Sequence, residues 1–346
     1  MADATGKGRG VALRPYASGD LDELVALWNR CLVADPTNPR WFARSVLTDR
    51  HFALDGLIVA TVDDALVGAI YAAHTLPEEE IDRPRVGYVP FFFVDPDRRQ
   101  RGIGHQLMAH ALTYLHERGC SAVEFAMLVP HYVAPGLDED AYPAARGLLL
   151  SAGFTEHGRA VSMGRSLLGF AVPDEVRQLR AQREREGYAI ITPSDGELAA
   201  VIAFAEQEFG LDWGTAVRDS AWRDHEVRPV TVVRSGERIL GFATHSANRP
   251  VAERFGPIGV SGEARGLGLG RLLLYETLVK MRSVGLQNAW FLTAEEDAPA
   301  GALYVSAGFG VLRRWSLWSH GLAARPATPR TPGARGAASG GSRGEA

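Results

Sequence analysis

The chain has 346 residues, of which 46% are hydrophobic, 23% charged and 9% aromatic, the composition of an ordinary globular protein with enough length for two cores. Its formal net charge of −4 gives no reason to expect nucleic acid or an anionic membrane as partner. Two isolated cysteines, Cys31 and Cys120, exclude a disulfide framework or a cysteine metal site. No run approaches the roughly 18 apolar residues of a membrane span, and the N-terminal residues lack the apolar stretch of a signal peptide, so a cytoplasmic location is expected. Lysine occurs only at Lys7 and Lys280 against a large excess of arginine, a usage that points to a GC-rich bacterial source.

In chain order, Val11–Pro15 reads as a strand and Asp20–Cys31 as an amphipathic helix. Leu57–Val62 and Ala65–His74 form a hairpin turning at Asp63-Asp64, and Arg85–Val94 is a long apolar strand. A helix follows with Met108, Ala111, Leu112 and Leu115 at i, i+3, i+4 and i+7, the spacing of one buried face. Next come a buried strand Ala122–Met127, a helix near Tyr142–Ala152 and a strand from Phe154. The run Asp174–Gly187 is charged and lacks an apolar stripe, so it reads as a solvated linker. Beyond it the order repeats: Tyr188–Ile191, Glu197–Phe209, Val230–Val233, Ile239–Thr244, Phe255–Val260, Leu272–Arg282, Ala289–Leu292, Pro299–Ala307 and Val311–Trp318. Residues 321–346 are dominated by Gly, Ala, Pro, Ser and Arg and are expected to be a disordered tail. The expected organisation is a first domain over 1–173, a linker over 174–187 and a second domain over 188–320.

The two halves are related in register. Val94-Asp-Pro96-Asp-Arg-Arg99-Gln-Arg101-Gly102-Ile103-Gly104 corresponds to Val260-Ser-Gly262-Glu-Ala-Arg265-Gly266-Leu-Gly268-Leu269-Gly270 at an offset of 166 residues, and the same offset relates Val123-Glu-Phe125 to Ala289-Trp-Phe291. Ser151-Ala-Gly-Phe154 matches Ser306-Ala-Gly-Phe309 at an offset of 155. The first half therefore carries extra residues between these points, assigned to the loop over 128–140.

A glycine-rich turn leading from a buried strand into a helix is an anion cradle, because the first helical N–H groups have no intrahelical partner and the helix dipole is positive there. Neither copy has the Gly-x-Gly-x-x-Gly spacing of a dinucleotide fold or the Gly-Lys-Ser/Thr of a P-loop. Pro90 and Pro257 lie within strand-like runs, where a missing N–H favours a bulge.

Val-x-Pro-x-x-Arg-x-x-Gly-x-Gly after the fourth strand resembles the acetyl-CoA-binding motif of the Gcn5-related N-acetyltransferase (GNAT) family, and the resemblance covers nearly the whole chain twice. It implies an α/β fold of two tandem units, each a mixed, mostly antiparallel sheet flanked by helices, with a cleft where the fourth and fifth strands splay apart. It also implies acetyl-CoA as co-substrate and transfer of its acetyl group to a primary amine. By the same resemblance, the amides of Arg101, Gly102, Ile103 and Gly104, and of Gly266, Gly268, Leu269 and Gly270, would hold the diphosphate. Backbone at Val94 and Val260 would pair with the pantetheine arm, and Arg99 and Arg265 would approach the phosphates. Asp297 stands where the family more often has asparagine.

The family's usual acid for the leaving thiolate, a tyrosine before the Gly-Phe pair, corresponds to Tyr304 in the second half and to Leu149 in the first. The second half is therefore the expected catalytic one. Glu253, before the fourth strand, and Glu295 or Glu296, after the fifth, are candidate general bases, each also readable as a solvated surface carboxylate. A small-molecule amine is the expected partner, with a homodimer allowed. The rival reading is an acyl-CoA sensor or interaction module that binds without turnover.

Overall fold

The computed structural model describes residues 10–80, 84–128, 133–222, 228–247, 251–295 and 299–322, without the side chains of 295 and 299. The first half comprises β1 (Ala12–Pro15), α1 (Leu21–Cys31), α2 (Pro39–Phe42), β2 (Leu57–Val62), β3 (Ala65–His74), β4 (Val86–Val94), α3 (Ile103–Glu117), β5 (Ala122–Phe125), α4 (Pro143–Ser151) and β6 (Thr155–Ser166). Helix α5 (Asp174–Arg185) leads into β7 (Tyr188–Ile191), α6 (Leu198–Phe209), α7 (Leu211–Trp222), β8 (Val230–Ser235), β9 (Arg238–His245), β10 (Phe255–Val260), α8 (Leu269–Ser283), β11 (Asn288–Glu295), α9 (Pro299–Ser306) and β12 (Gly310–Gly321). The tail expected to be disordered lies, from residue 323 on, outside the described residues.

Periodicity located these elements well, and the exceptions have physical causes. The β2–β3 hairpin turns at Asp63 and Asp64, both with positive φ (50° and 66°), a pair of left-handed residues that matches the strand twist. Helix α7 was not anticipated because Gly214 interrupts its pattern. A Cβ at Gly214 would come within 2.3 Å of the Glu206 side chain on α6, so the glycine serves the close packing of α6 on α7. The charged run expected to be a solvated linker is helix α5, which docks: Val176 is buried and Leu179 packs on the second core. Arg180 pairs with Glu276 of α8 at 2.5 Å.

The strands form an eight-stranded sheet, ordered β1-β2-β3-β4-β5-β12-β6-β11, and a four-stranded sheet, β10-β9-β8-β7. The final strand of the second half, β12, thus lies between two strands of the first. It runs antiparallel to β5 from Ser319↔Glu124 to Gly321↔Ala122 and antiparallel to β6 from Gly310↔Gly164 to Ser319↔Thr155. The other edge of β6 pairs with β11, from Asn288↔Ser166 to Glu295↔Ala160. Each half therefore lends its last strand to the other.

One face of the first sheet packs on α1 and α2 through Trp28, Phe42, Phe91 and Phe93, with Trp28 edge-on to Phe91 at 4.8 Å between centroids. The opposite face packs on α3 through Leu107, Met108, Ala111 and Leu115. Below the first face, buried His51 sits between two carboxylates: Nδ1 is 2.8 Å from Asp49 Oδ1, and Nε2 is 3.1 Å from Glu79 Oε1. Burial opposes the charged imidazolium, but the bonds to Asp49 and Glu79 outweigh it and lift the pKa from 6.5 to about 9. A pKa raised on folding contributes stability that is complete below about pH 6.5 and is lost as pH rises through about 9. The shift is worth at most about 3 kcal/mol. Chemical denaturation of the native chain and of His51→Gln at about pH 6 and about pH 10 should show the native chain losing more stability over that range; equal losses would remove the imidazolium clamp from the account.

Candidate acyl-CoA cleft

β4 and β5 run parallel and paired only from Val86↔Ala122 to Val89↔Phe125, and Ala126 N donates the last bond to the Val89 carbonyl at 2.9 Å. Beyond that point Pro90 has no N–H to offer, while Ala126 and Met127 turn away with φ of 62° and 55°. The register of β4 against β3 also shifts between Tyr71 and Ala73, opposite Pro90, which is the bulge expected there. The β4 edge from Pro90 to Val94 is consequently left without a strand on the β5 side. A cavity of about 780 Å³ opens along it, walled by the end of α1, by the loop over 98–104 and by the start of α4.

In the second half, β10 pairs with β9 with a register shift between Phe255 and Ile258, around Pro257. Among the described residues its backbone link to β11 is the single bridge Arg254↔Trp290, just before β10 begins, where Trp290 N donates to the Glu253 carbonyl at 3.1 Å. The gap expected between the fourth and fifth strands is here the break between the two sheets.

The two glycine-rich loops share one backbone shape. Positive φ occurs at Gln100 (61°) and Gly102 (78°), and at the corresponding Gly266 (79°) and Gly268 (74°). The first intrahelical donors are Gln106 N to the Gly102 carbonyl at 3.0 Å and Leu272 N to the Gly268 carbonyl at 3.2 Å. The amides at the very start of each helix precede that ladder and are available to an anion. Ile103 and Leu269, both buried, anchor the first turns. A Cβ at Gly104 would lie 3.2 Å from Leu148 and 3.8 Å from Val94; at Gly270 it would lie 3.9 Å from Leu303 and 3.8 Å from Val260. Glycine at these positions leaves room between strand, helix start and following helix.

The surroundings of the loops differ. Beside Gly102 there is open space, whereas a Cβ at Gly268 would meet Leu179 of α5 at 2.8 Å. Arg183 of α5 donates Nε to the Leu267 carbonyl at 2.8 Å, so α5 braces the second loop.

Val94, Arg99, Gly102, Ile103 and Gly104 line the first cleft together, and Arg99 Nε donates to the Val94 carbonyl at 3.2 Å. Arg101 is exposed and is not among the lining residues. Arg265 and Gly266 are likewise exposed on the second loop, with Val260 half-buried at the end of β10. Tyr304 is 8% exposed, tilted against Phe291 (4.5 Å) and Phe309 (5.8 Å) and edge-on to Phe255 (6.3 Å). Burial pushes its pKa up to about 12. Glu253 Oε1 accepts from Asn288 Nδ2 at 3.2 Å, at the closed end of the β10–β11 gap and away from the loop. Glu295 ends β11; its side chain, Glu296 and Asp297 lie outside the described residues.

Sequence reasoning did not pick out Tyr142, which lines the first cleft. Its hydroxyl donates to Asp35 Oδ2 at 2.7 Å and accepts from Ala34 N at 3.2 Å. Burial and the Asp35 carboxylate push its pKa well above the ordinary tyrosine value. A signal was present, since the offset of 155 residues that relates Ser151 to Ser306 also relates Tyr142 to Asp297. Cys31, also on the wall, is a buried thiol pushed up to about 11, which leaves it protonated and unreactive. Among the described residues no group of His, Cys, Asp and Glu is arranged to hold a metal ion, and no helix is long and apolar enough to cross a membrane.

A gap beside the fourth strand with a glycine-rich helix start next to it, once in each half, gives the chain the scaffold of a tandem acyltransferase. The chain belongs to the acetyltransferase (GNAT) family, whose profile matches residues 21–134 and 205–309. Among solved structures it is similar to the GCN5-related glucosamine N-acetyltransferase region of a fungal multi-domain GH3 beta-N-acetylglucosaminidase (TM-score 0.78, 17% identity), with 92% of this chain covered but only 39% of the fungal one. It is also similar to a GCN5-related N-acetyltransferase from Sphaerobacter thermophilus (TM-score 0.64, 18% identity, 90% and 95% covered). A tandem GNAT protein from the clavulanic acid biosynthesis pathway aligns over 92% of this chain and 100% of its own (TM-score 0.59, 21% identity). A search of curated proteins returned no match.

The open side of Gly102 and the braced side of Gly268 are separable by mutation. Gly102→Ala should cost about 1–2 kcal/mol for its left-handed backbone alone. Gly268→Ala must in addition displace Leu179, so urea denaturation should show a larger loss, and the excess should disappear in a Leu179→Ala background.

Proposed function

We propose that the protein transfers an acetyl group from acetyl-CoA to a primary amine of a small molecule, with the cofactor held in the cleft of the first half. The observation that carries this reading is the cavity of about 780 Å³ along the free edge of β4, with the Gly102–Gly104 helix start at its mouth. The diphosphate would meet the helix-start amides, with Arg98 and Arg99 beside it, and the pantetheine arm would add to the strand edge left open after Val89. In the transfer the amine nitrogen attacks the thioester carbonyl, the carbon–sulfur bond breaks, the nitrogen gives up one N–H proton and the CoA thiolate takes one, leaving the amide and free thiol. Tyr142 carries the one hydroxyl among the described residues lining the cleft; because its proton is held by Asp35, we assign it to fixing the cleft wall and not to proton transfer. The glucosamine-acetylating fungal neighbour supports an amino sugar as the first acceptor to try.

A second reading places the chemistry in the second half, because Tyr304 occupies the family's acid position and Leu149 does not. Glu253 and Glu295 would then be the base candidates, and the loop from Arg265 to Gly270, with Val260 and Asp297, would hold the cofactor. Calorimetry with acetyl-CoA on Gly104→Val and Gly270→Val compares the two halves; the first variant should lose binding and the second should keep it. Thiol release assayed against a panel of amines then tests turnover, and binding without acceptor-dependent thiol would favour a sensor. Tyr304→Phe should retain its kcat, whereas chemistry in the second half would lower it about 10²–10⁴-fold, the usual worth of general acid catalysis.

A further inference from the structure

Two loops wall the first cleft, residues 32–35 after α1 and residues 137–142 before α4, and both are held by β12, a strand of the other half. Leu137 exchanges both backbone hydrogen bonds with Ser316, each at 2.9 Å. The approach is close enough that a Cβ on Gly136 would lie 2.6 Å from the Ser316 carbonyl oxygen. Three residues earlier on β12, Arg313 bridges the loops. Its Nε donates to Asp138 Oδ2 at 2.7 Å, while Nη1 and Nη2 donate to the two oxygens of Asp35 at 2.6 and 3.1 Å.

Both carboxylates also bond to the loop before α4. Asp35 accepts the Tyr142 hydroxyl, and Asp138 Oδ1 accepts Ala141 N at 2.9 Å. The guanidinium itself lies over the Trp315 ring, 4.2 Å from its centroid, so its place is set by packing as well as by charge. A planar fork can satisfy two carboxylates at once, which the single ammonium of lysine does poorly. Without the fork, half-buried Asp35 and buried Asp138 would be left as like charges on neighbouring loops.

We infer that Arg313 is a positioning residue for the first half's site, setting through Asp35 and Asp138 the spacing of the loops that wall the acetyl-CoA cleft. The second half thereby governs cofactor binding in the first. The inference rests on the proposed reading of that cleft.

The test uses the full chain carrying Arg313→Lys, which keeps the charge and the stem, alongside Arg313→Ala. Acetyl-CoA affinity by calorimetry should fall about tenfold in Arg313→Lys, a coupling of about 1.4 kcal/mol, and further in Arg313→Ala. The KM for acetyl-CoA should rise while the KM for the amine stays constant. Without ligand, hydrogen exchange should quicken at the amides of Asp35, Ala141 and Tyr142 while the α6–α7 amides keep their protection. If Arg313→Ala fails to fold, the lysine variant alone still decides. Unchanged affinity and unchanged exchange in Arg313→Lys would overturn the inference alone, whereas a native chain that takes up no acetyl-CoA overturns the reading beneath it.

Discussion

The last strand of the chain runs inside the sheet of its first half, and the remaining architecture depends on that insertion. A strand interior to a sheet must satisfy backbone N–H and C=O groups on both edges, and β12 does so by pairing with β5 on one side and β6 on the other. β6 in turn is completed by β11. Neither half contains the hydrogen-bond partners of its own final strand. The four strands β5, β12, β6 and β11 thus form one block between the two splayed gaps, and side chains of the second half, Arg313 foremost, reach the walls of the first half's cleft.

Around that block the clefts are made by subtraction. In the first half, a proline without an N–H and two left-handed residues after β5 end a parallel ladder after only four pairs. What remains is a strand edge without a partner strand beside a helix start, both of them polar backbone surfaces suited to a ligand that is part anion and part amide. The side-chain requirements are correspondingly few: small residues at Gly102 and Gly104, a buried anchor at Ile103 and apolar walls. This economy lets one scaffold be repeated with little sequence in common between the copies.

The copies have then diverged in what covers them. The first loop opens onto a cleft whose wall carries the Tyr142 hydroxyl, and the second is braced by α5 through Leu179 and Arg183. Tyr304, the acid expected from the family resemblance, is packed in an aromatic cluster with Phe255, Phe291 and Phe309. The same motif can therefore sit in two different environments within one molecule, and the environment bears on which copy is open to a ligand.

The sequence by itself determined the features that depend on local chemistry. Apolar periodicity placed β1, α1, the β2–β3 hairpin, β4 and α3 within a residue or a few of their ends, because 2- and 3.6-residue repeats record which side of each element is buried. Pro90 and Pro257 marked both bulges, and the spacing of Arg99, Gly102 and Gly104 marked the loop, because backbone constraints are written into single residues. Tertiary structure alone decided the rest. That β12 pairs with β5 is a contact across nearly two hundred residues, invisible to any local pattern because an exchanged strand and an unexchanged one present the same alternation. That Arg313, Asp35, Asp138 and Tyr142 form one cluster follows from that pairing. The docking of α5 escaped notice because two apolar residues, Val176 and Leu179, suffice to seat a helix whose charged remainder reads as solvated. Burial is a property of what a residue meets, and only the fold supplies the other surface.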